Sequence, residues 1–228
     1  TGYRSDGVYA SYNVNYVDNL RQNYLASAKN HGGWIDAVIT EVGWSTYIDK
    51  NNANKGQYGE YGRYGTSEED QAVYTVKALV YNDYLGVIHT DVFTAYDRGT
   101  DKNYVEHNFG FIRYDYSLKP SAYALSQYNN TCSSAQYLGR VELAEDVYGY
   151  VYQSLTKPFM IVWKKMMNVN TGTTYQYTLP SGARAEDMFG NAIDGAVVNI
   201  GTEPVYIYDI PLTLVKDAFD DLSIESFK

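Results

Sequence analysis

The chain has 228 residues, 45% hydrophobic and 20% charged, which describes a folded domain or two and excludes a disordered tail. A formal net charge of -9 argues against nucleic-acid binding, which needs a basic face to displace counterions. One cysteine, Cys132, rules out an internal disulfide, and His31, His89 and His107 follow no ligand spacing, so no metal or cofactor is expected.

No run reaches the roughly 18 apolar residues of a membrane span. The opening TGYRSDGVYAS has no basic start, apolar core or initiator methionine, so the chain reads as cut from something longer. The first element is an amphipathic helix in NYVDNLRQNYLASAKNHGG, with Val17, Leu20, Tyr24 and Ala28 on one side and His31-Gly32-Gly33 as its stop. WIDAVITEV reads as a buried strand that delivers Glu41 near its tip, and GWSTYIDKNNANKGQYGEYGRYGT is a long polar and tyrosine-rich loop. A second helix opens at TSEEDQAVYTVKALVYNDYL, where Ser67 and Asp70 fit an acidic capping box and Val73, Val76 and Val80 form the stripe.

GVIHTDVFTAY is a second buried strand, EHNFGFIRYDYS closes a long polar loop, and LKPSAYALSQY gives a third helix. Strands alternating with helices predict parallel β/α units whose ligands sit at the C-terminal strand ends, where both Glu41 and Tyr96 fall. From Cys132 the pattern changes to VYGYVYQS, PFMIVWKK, TTYQYTLP, AVVNI and PVYIYDI, separated by turn signals, with no helix until the end. This predicts a small antiparallel β-sandwich over 132–228, after an α/β domain over 1–131. The 26 tyrosines are an unusual number; most are expected on strand faces and interfaces, and a few on sugars.

ITEVGWST, the following helix, VFTAYDRGTD and EHNFGFIRYDYSLKPSAYALSQY together resemble the last part of a clan A retaining glycoside hydrolase barrel. DMFGN and EPVYIYDI are similar to the sandwich often appended to such barrels. The resemblance implies the C-terminal portion of a (β/α)8 barrel, about strands six to eight, followed by a β-sandwich. It also implies a carbohydrate substrate and Glu41 as the nucleophile.

Retention needs a second carboxyl about 5 Å from the nucleophile to protonate the leaving oxygen. In the clan that acid/base lies in an Asn-Glu at the end of strand four, and no Asn-Glu occurs here. A full barrel takes roughly 250 residues, about twice what precedes the sandwich. The first half is therefore expected elsewhere, in the same precursor or a second chain, unless the chain is a degenerate relative without catalysis. The chain alone is expected to be inactive, and its location secreted or at the cell surface. The competing reading is a non-catalytic carbohydrate-binding or cell-surface structural module.

Around Glu41, Trp44 lines the cleft or covers the barrel rim, and Tyr96 stacks on sugar or packs. Asp97 binds a sugar hydroxyl or belongs to an ordinary Asp-Arg-Gly turn. Tyr58, Tyr61 and Tyr64 form platforms in the long loop or touch no ligand. Glu106 and His107 shape the loop after the second strand, and Trp163 belongs to the sandwich core.

Overall fold

A computed structural model describes residues 37–48, 65–164 and 174–225. The helix expected around Val17 to Ala28 lies outside them. Contacts divide the chain into two compact units, 1–123 and 124–228. The fold is mixed α/β, with a parallel strand pair in the first unit and antiparallel sheets in the second.

In the first unit β1 (Ala37–Val42) and β2 (Val87–Val92) run parallel, with Val38 opposite His89, Ile39 opposite Thr90 and Val42 opposite Val92. Parallel neighbours require a crossover, and α1 (Glu68–Tyr84) supplies it. The helix starts where Ser67 Oγ accepts the Asp70 N–H at 2.9 Å, and Glu68, Glu69 and Asp70 place negative charge at the positive end of its dipole. Ala72, Val73, Val76, Leu79 and Val80 are its buried stripe. Asn82 of α1 donates to Thr90 Oγ1 at 3.0 Å, so Thr90 faces the helix. Strand alternation then turns His89 and Asp91, joined at 2.9 Å, to the opposite face.

Helix α2 (Pro120–Cys132) begins with proline in the first turn, where no N–H is needed, and its residues from Ala124 onward belong to the second unit. There β3 (Gln136–Ala144), β4 (Val147–Gln153), β5 (Pro158–Lys164), β10 (Val205–Tyr208), β7 (Arg184–Glu186) and β8 (Ala192–Ile193) form, in that order, one six-stranded sheet. The strands β6 (Tyr175–Thr178) and β9 (Val197–Ile200) pair separately. Met160, Val162 and Ile207 of the large sheet and Val198 and Ile200 of the small one enter a single core.

The other face of the large sheet is aromatic: Trp163 stacks on Tyr150 at 4.5 Å and Phe159 on Tyr152 at 5.2 Å, all four buried. This is where several of the tyrosines go. Helix α3 (Leu212–Glu225) lies close against β3, so close at Gly139 that an added Cβ would stand 2.1 Å from the Ala218 carbonyl oxygen.

Candidate functional site

Glu41 is the penultimate residue of β1 and is exposed, while its neighbour Val42 is buried. The Phe93 N–H donates to the Val42 carbonyl at 2.7 Å, extending the strand pairing by one step. Gly43 then passes so near Phe93 that a Cβ would lie 2.0 Å from its carbonyl oxygen, so any side chain at Gly43 would push the two strand ends apart. The glycine of Glu-x-Gly-Trp has a local cause: it lets the two strand ends close on each other two residues after Glu41.

Trp44 is buried, with its ring centroid 5.8 Å from that of Tyr74 on α1. Its carbonyl accepts from Gln71 Nε2 at 2.7 Å, and the same Nε2 donates to the Phe109 carbonyl at 3.2 Å. Gln71 Oε1 accepts from Ser121 Oγ at 2.7 Å. One fully buried amide thus ties the loop after β1, the loop after β2 and the start of α2 together. A buried amide left without partners would cost more than these bonds contribute, so the arrangement holds only when complete.

Asp97 follows Tyr96 and points inward. Its Oδ1 accepts from Lys119 Nζ at 2.8 Å and from the Gly110 N–H at 2.8 Å, and both side chains of the ion pair are fully buried. Lys119 Nζ also donates to Thr46 Oγ1 at 3.1 Å and to the Asn108 carbonyl at 3.2 Å, which uses all three of its protons. Burial pulls the Lys119 ammonium below the ordinary lysine range, and the bond to Asp97 opposes that pull. Lys102 adds a longer contact to Asp97 Oδ2 at 3.7 Å.

Extended chain alternates its side chains, so inward Asp97 puts Tyr96 outward, where it is 52% exposed. Its ring meets that of Tyr116 edge to face, centroids 6.3 Å apart. Tyr58, Tyr61 and Tyr64 lie outside the described residues. Glu41 and Tyr96 therefore fall at the same end of the parallel pair, while Trp44 and Asp97 are turned into the protein. Lys119, Gln71, Tyr114 and Tyr116 escaped the sequence reading: a buried lysine before a helix proline has no local signature, and Tyr114 and Tyr116 sit in a segment read as loop closure. Among the described residues no group of three His, Cys, Asp or Glu side chains is placed to hold a metal ion, and no helix is long and apolar enough to cross a membrane.

No protein-family model matches the chain, and no curated protein matches it in sequence. Solved structures do. A family 39 glycoside hydrolase from the gut symbiont Bacteroides cellulosilyticus superposes with a TM-score of 0.60 at 19% identity, covering 78% of this chain and 34% of that one. A family 30 endoxylanase from Clostridium papyrosolvens gives a TM-score of 0.42 at 12% identity, over 82% of this chain and 44% of that one. The first likeness shows a shared fold. The chain spans about a third of the length of the family 39 structure.

Proposed function

We propose that this chain is the C-terminal part of a retaining glycoside hydrolase acting on poly- or oligosaccharide, with Glu41 as the nucleophile. The observation that carries the reading is an exposed glutamate at the C-terminal end of β1, in a parallel β-α-β unit whose fold is shared with a glycoside hydrolase. In such units ligands gather where the strands end, and a carboxylate there attacks an anomeric carbon to form a glycosyl-enzyme that water then opens. In this reading Tyr96 faces the sugar, and Trp44 and Asp97 hold the rim from inside. The second unit, as a β-sandwich, is a rigid support. The acid/base resides in the missing half of the barrel, and the assembled protein works outside the cell or on its surface.

The experiment is a panel of chromogenic aryl glycosides applied to the chain alone, to the protein with its completing half, and to Glu41→Gln in that completed protein. The isolated chain should show no turnover, because the missing half would hold much of the sugar, and on an unactivated oligosaccharide the lack of a positioned acid forfeits a further roughly 10²–10⁴-fold. Glu41→Gln should lower turnover on the order of 10⁴-fold or more while the far-ultraviolet circular dichroism stays unchanged. Full activity in that variant removes Glu41 from the mechanism, and enzymatic rates from the isolated chain remove the need for a second half.

A further inference from the structure

The segment from Ile112 to Leu118 is a tight turn laid against the chain that leaves β2. Tyr96 and Ile112 form a parallel bridge, in which the Ile112 N–H donates to the Ala95 carbonyl at 2.9 Å and the Asp97 N–H to the Ile112 carbonyl at 2.8 Å. The turn also closes on itself. The Arg113 N–H donates to the Ser117 carbonyl at 2.8 Å, and the Asp115 carboxylate accepts the Ser117 N–H at 3.0 Å. Arg113 pairs with Glu68 of α1, so the two segments are held beside each other.

Two tyrosine rings stand on this frame in solvent. Tyr96 is 52% exposed and Tyr116 79%, and their rings meet edge to face with centroids 6.3 Å apart. Such a contact sets rim carbons of one ring against the other, and exposed side chains are free to turn further about their χ angles. Tyr116 holds a φ of +67°, a left-handed conformation that glycine adopts without strain, so a bulky ring kept there needs a use of its own. Three other tyrosine pairs among the described residues lack one of these conditions. Tyr152 beside Tyr137 and Tyr206 beside Tyr208 are buried, and Tyr81 and Tyr84 share one helix, where a link would join no separate segments.

We propose that Tyr96 and Tyr116 are an oxidative cross-linking site, joined as dityrosine by a haem peroxidase with hydrogen peroxide. Each phenol gives up one electron and one proton, and the peroxide leaves as two waters. The two phenoxyl radicals form one bond between carbons ortho to the hydroxyls, and the hydrogen on each joined carbon moves to its phenolic oxygen. The chain loses two hydrogens in all. Holding the rings together makes the coupling intramolecular, which favours it over capture of a second molecule. The product staples the loop after β2 to the turn before α2, and like a disulfide it removes open states of the loop that it closes. The step needs neither a sugar nor a completed barrel, so it stands apart from the catalytic reading of Glu41.

The test treats the 228-residue chain, at low concentration, with a haem peroxidase and limiting hydrogen peroxide, beside Tyr96→Phe, Tyr116→Phe and Tyr114→Phe. Phenylalanine keeps each ring and its backbone but has no phenol to oxidise. A monomer lighter by two hydrogens, with the blue fluorescence of dityrosine and a cross-linked peptide pair holding Tyr96 and Tyr116 after proteolysis, supports the site. That product should vanish in Tyr96→Phe and in Tyr116→Phe and persist in Tyr114→Phe, which removes a neighbouring ring that is itself 59% exposed. No coupling, covalent dimers as the main product, loss of the product in Tyr114→Phe, or a link mapped to Tyr58, Tyr61, Tyr64 or any other tyrosine overturns it.

Discussion

The two units treat their strands in opposite ways. In the second, β5 is buried on both faces, its Met160 and Val162 in the shared core and its Phe159 and Trp163 among stacked rings. In the first, β1 and β2 leave Val38 47% and Ile88 62% exposed, although parallel strands are normally covered on both sides. Stability in the second unit comes from an apolar interior of ordinary kind. The first buries the apolar stripe of α1 and, beyond the strand ends, adds the buried polar lock of Asp97, Lys119 and Gln71, so that the end of the sheet is finished while part of its face stays open.

The largest effect should follow from opening that lock. Asp97→Ala leaves a fully buried ammonium facing Thr46 and the Asn108 carbonyl without its counter-charge, a change that typically costs about 3–5 kcal/mol. Hydrogen exchange should show faster opening of the backbone around Thr46, Asn108 and Gly110, with protection of β4 and β5 retained. The double variant Asp97→Leu with Lys119→Met should recover much of the loss, since paired apolar replacements of a buried ion pair are often neutral. A cost below about 1 kcal/mol for Asp97→Ala would put the pair among surface bridges and remove the contrast between the units.

Next comes the apolar unit at its tightest approach. Gly139→Ala drives a methyl carbon toward the Ala218 carbonyl at 2.1 Å and requires a φ of +150°, so α3 must move off β3. Overpacking of this kind costs about 1–3 kcal/mol, and the urea midpoint of the second unit should fall accordingly. An unchanged midpoint would mean that α3 contributes little to that core.

Much of this arrangement could be read from the sequence where one element supplies its own evidence. Val73, Val76 and Val80 recur at helical spacing, Ser67 and Asp70 announce the cap, and the two strands flanking a helix pair in parallel as anticipated, although both are expected to be buried and are instead largely exposed. Five of the antiparallel segments appear as strands. Gln136–Ala144 was not read as one because Gly139 and Arg140 interrupt its alternation, and Arg184–Glu186 and Ala192–Ile193 are too short to carry a period. The inward turn of Asp97 was hidden for a different reason. It depends on Lys119 and Gly110, 22 and 13 residues away, and no local pattern reports which side of a loop a long-range partner occupies. Likewise Gly43 looks like a turn residue until Phe93 is seen against it.

A smaller effect separates the units by pH. Tyr208 donates to Glu186 at 2.9 Å, and burial, with this bond, pushes its hydroxyl up to about 12 from an ordinary 10.0, against the lowering pull of Thr131 and of the Arg184 guanidinium over its ring. Below pH 10 both folded and unfolded chains hold the proton. Between about 10 and 12 the unfolded chain releases it first, so stability falls as pH rises through that window, by up to about 2 kcal/mol. Urea unfolding at pH 9 and pH 11 should show a shallower decline in Tyr208→Phe than in the parent, with the difference confined to probes in the second unit. Parallel declines would place the alkaline sensitivity on other tyrosines.

The smallest effect is the most telling about the first unit. Ile88→Ser replaces a β-branched apolar residue on β2, and in a covered strand such a change empties a cavity and costs about 2 kcal/mol or more. At 62% exposure there is little cavity to empty, so the variant of this chain alone should unfold within about 0.5 kcal/mol of the parent. The same substitution in the completed protein should carry the full penalty, because additional barrel elements would cover what is open here. The two measurements therefore bear on different statements. A large loss in the isolated chain would mean that the face of β2 is already covered in solution. A negligible loss in both would mean that no further strand or helix ever packs there, and the parallel pair would then have to be explained without a closing barrel.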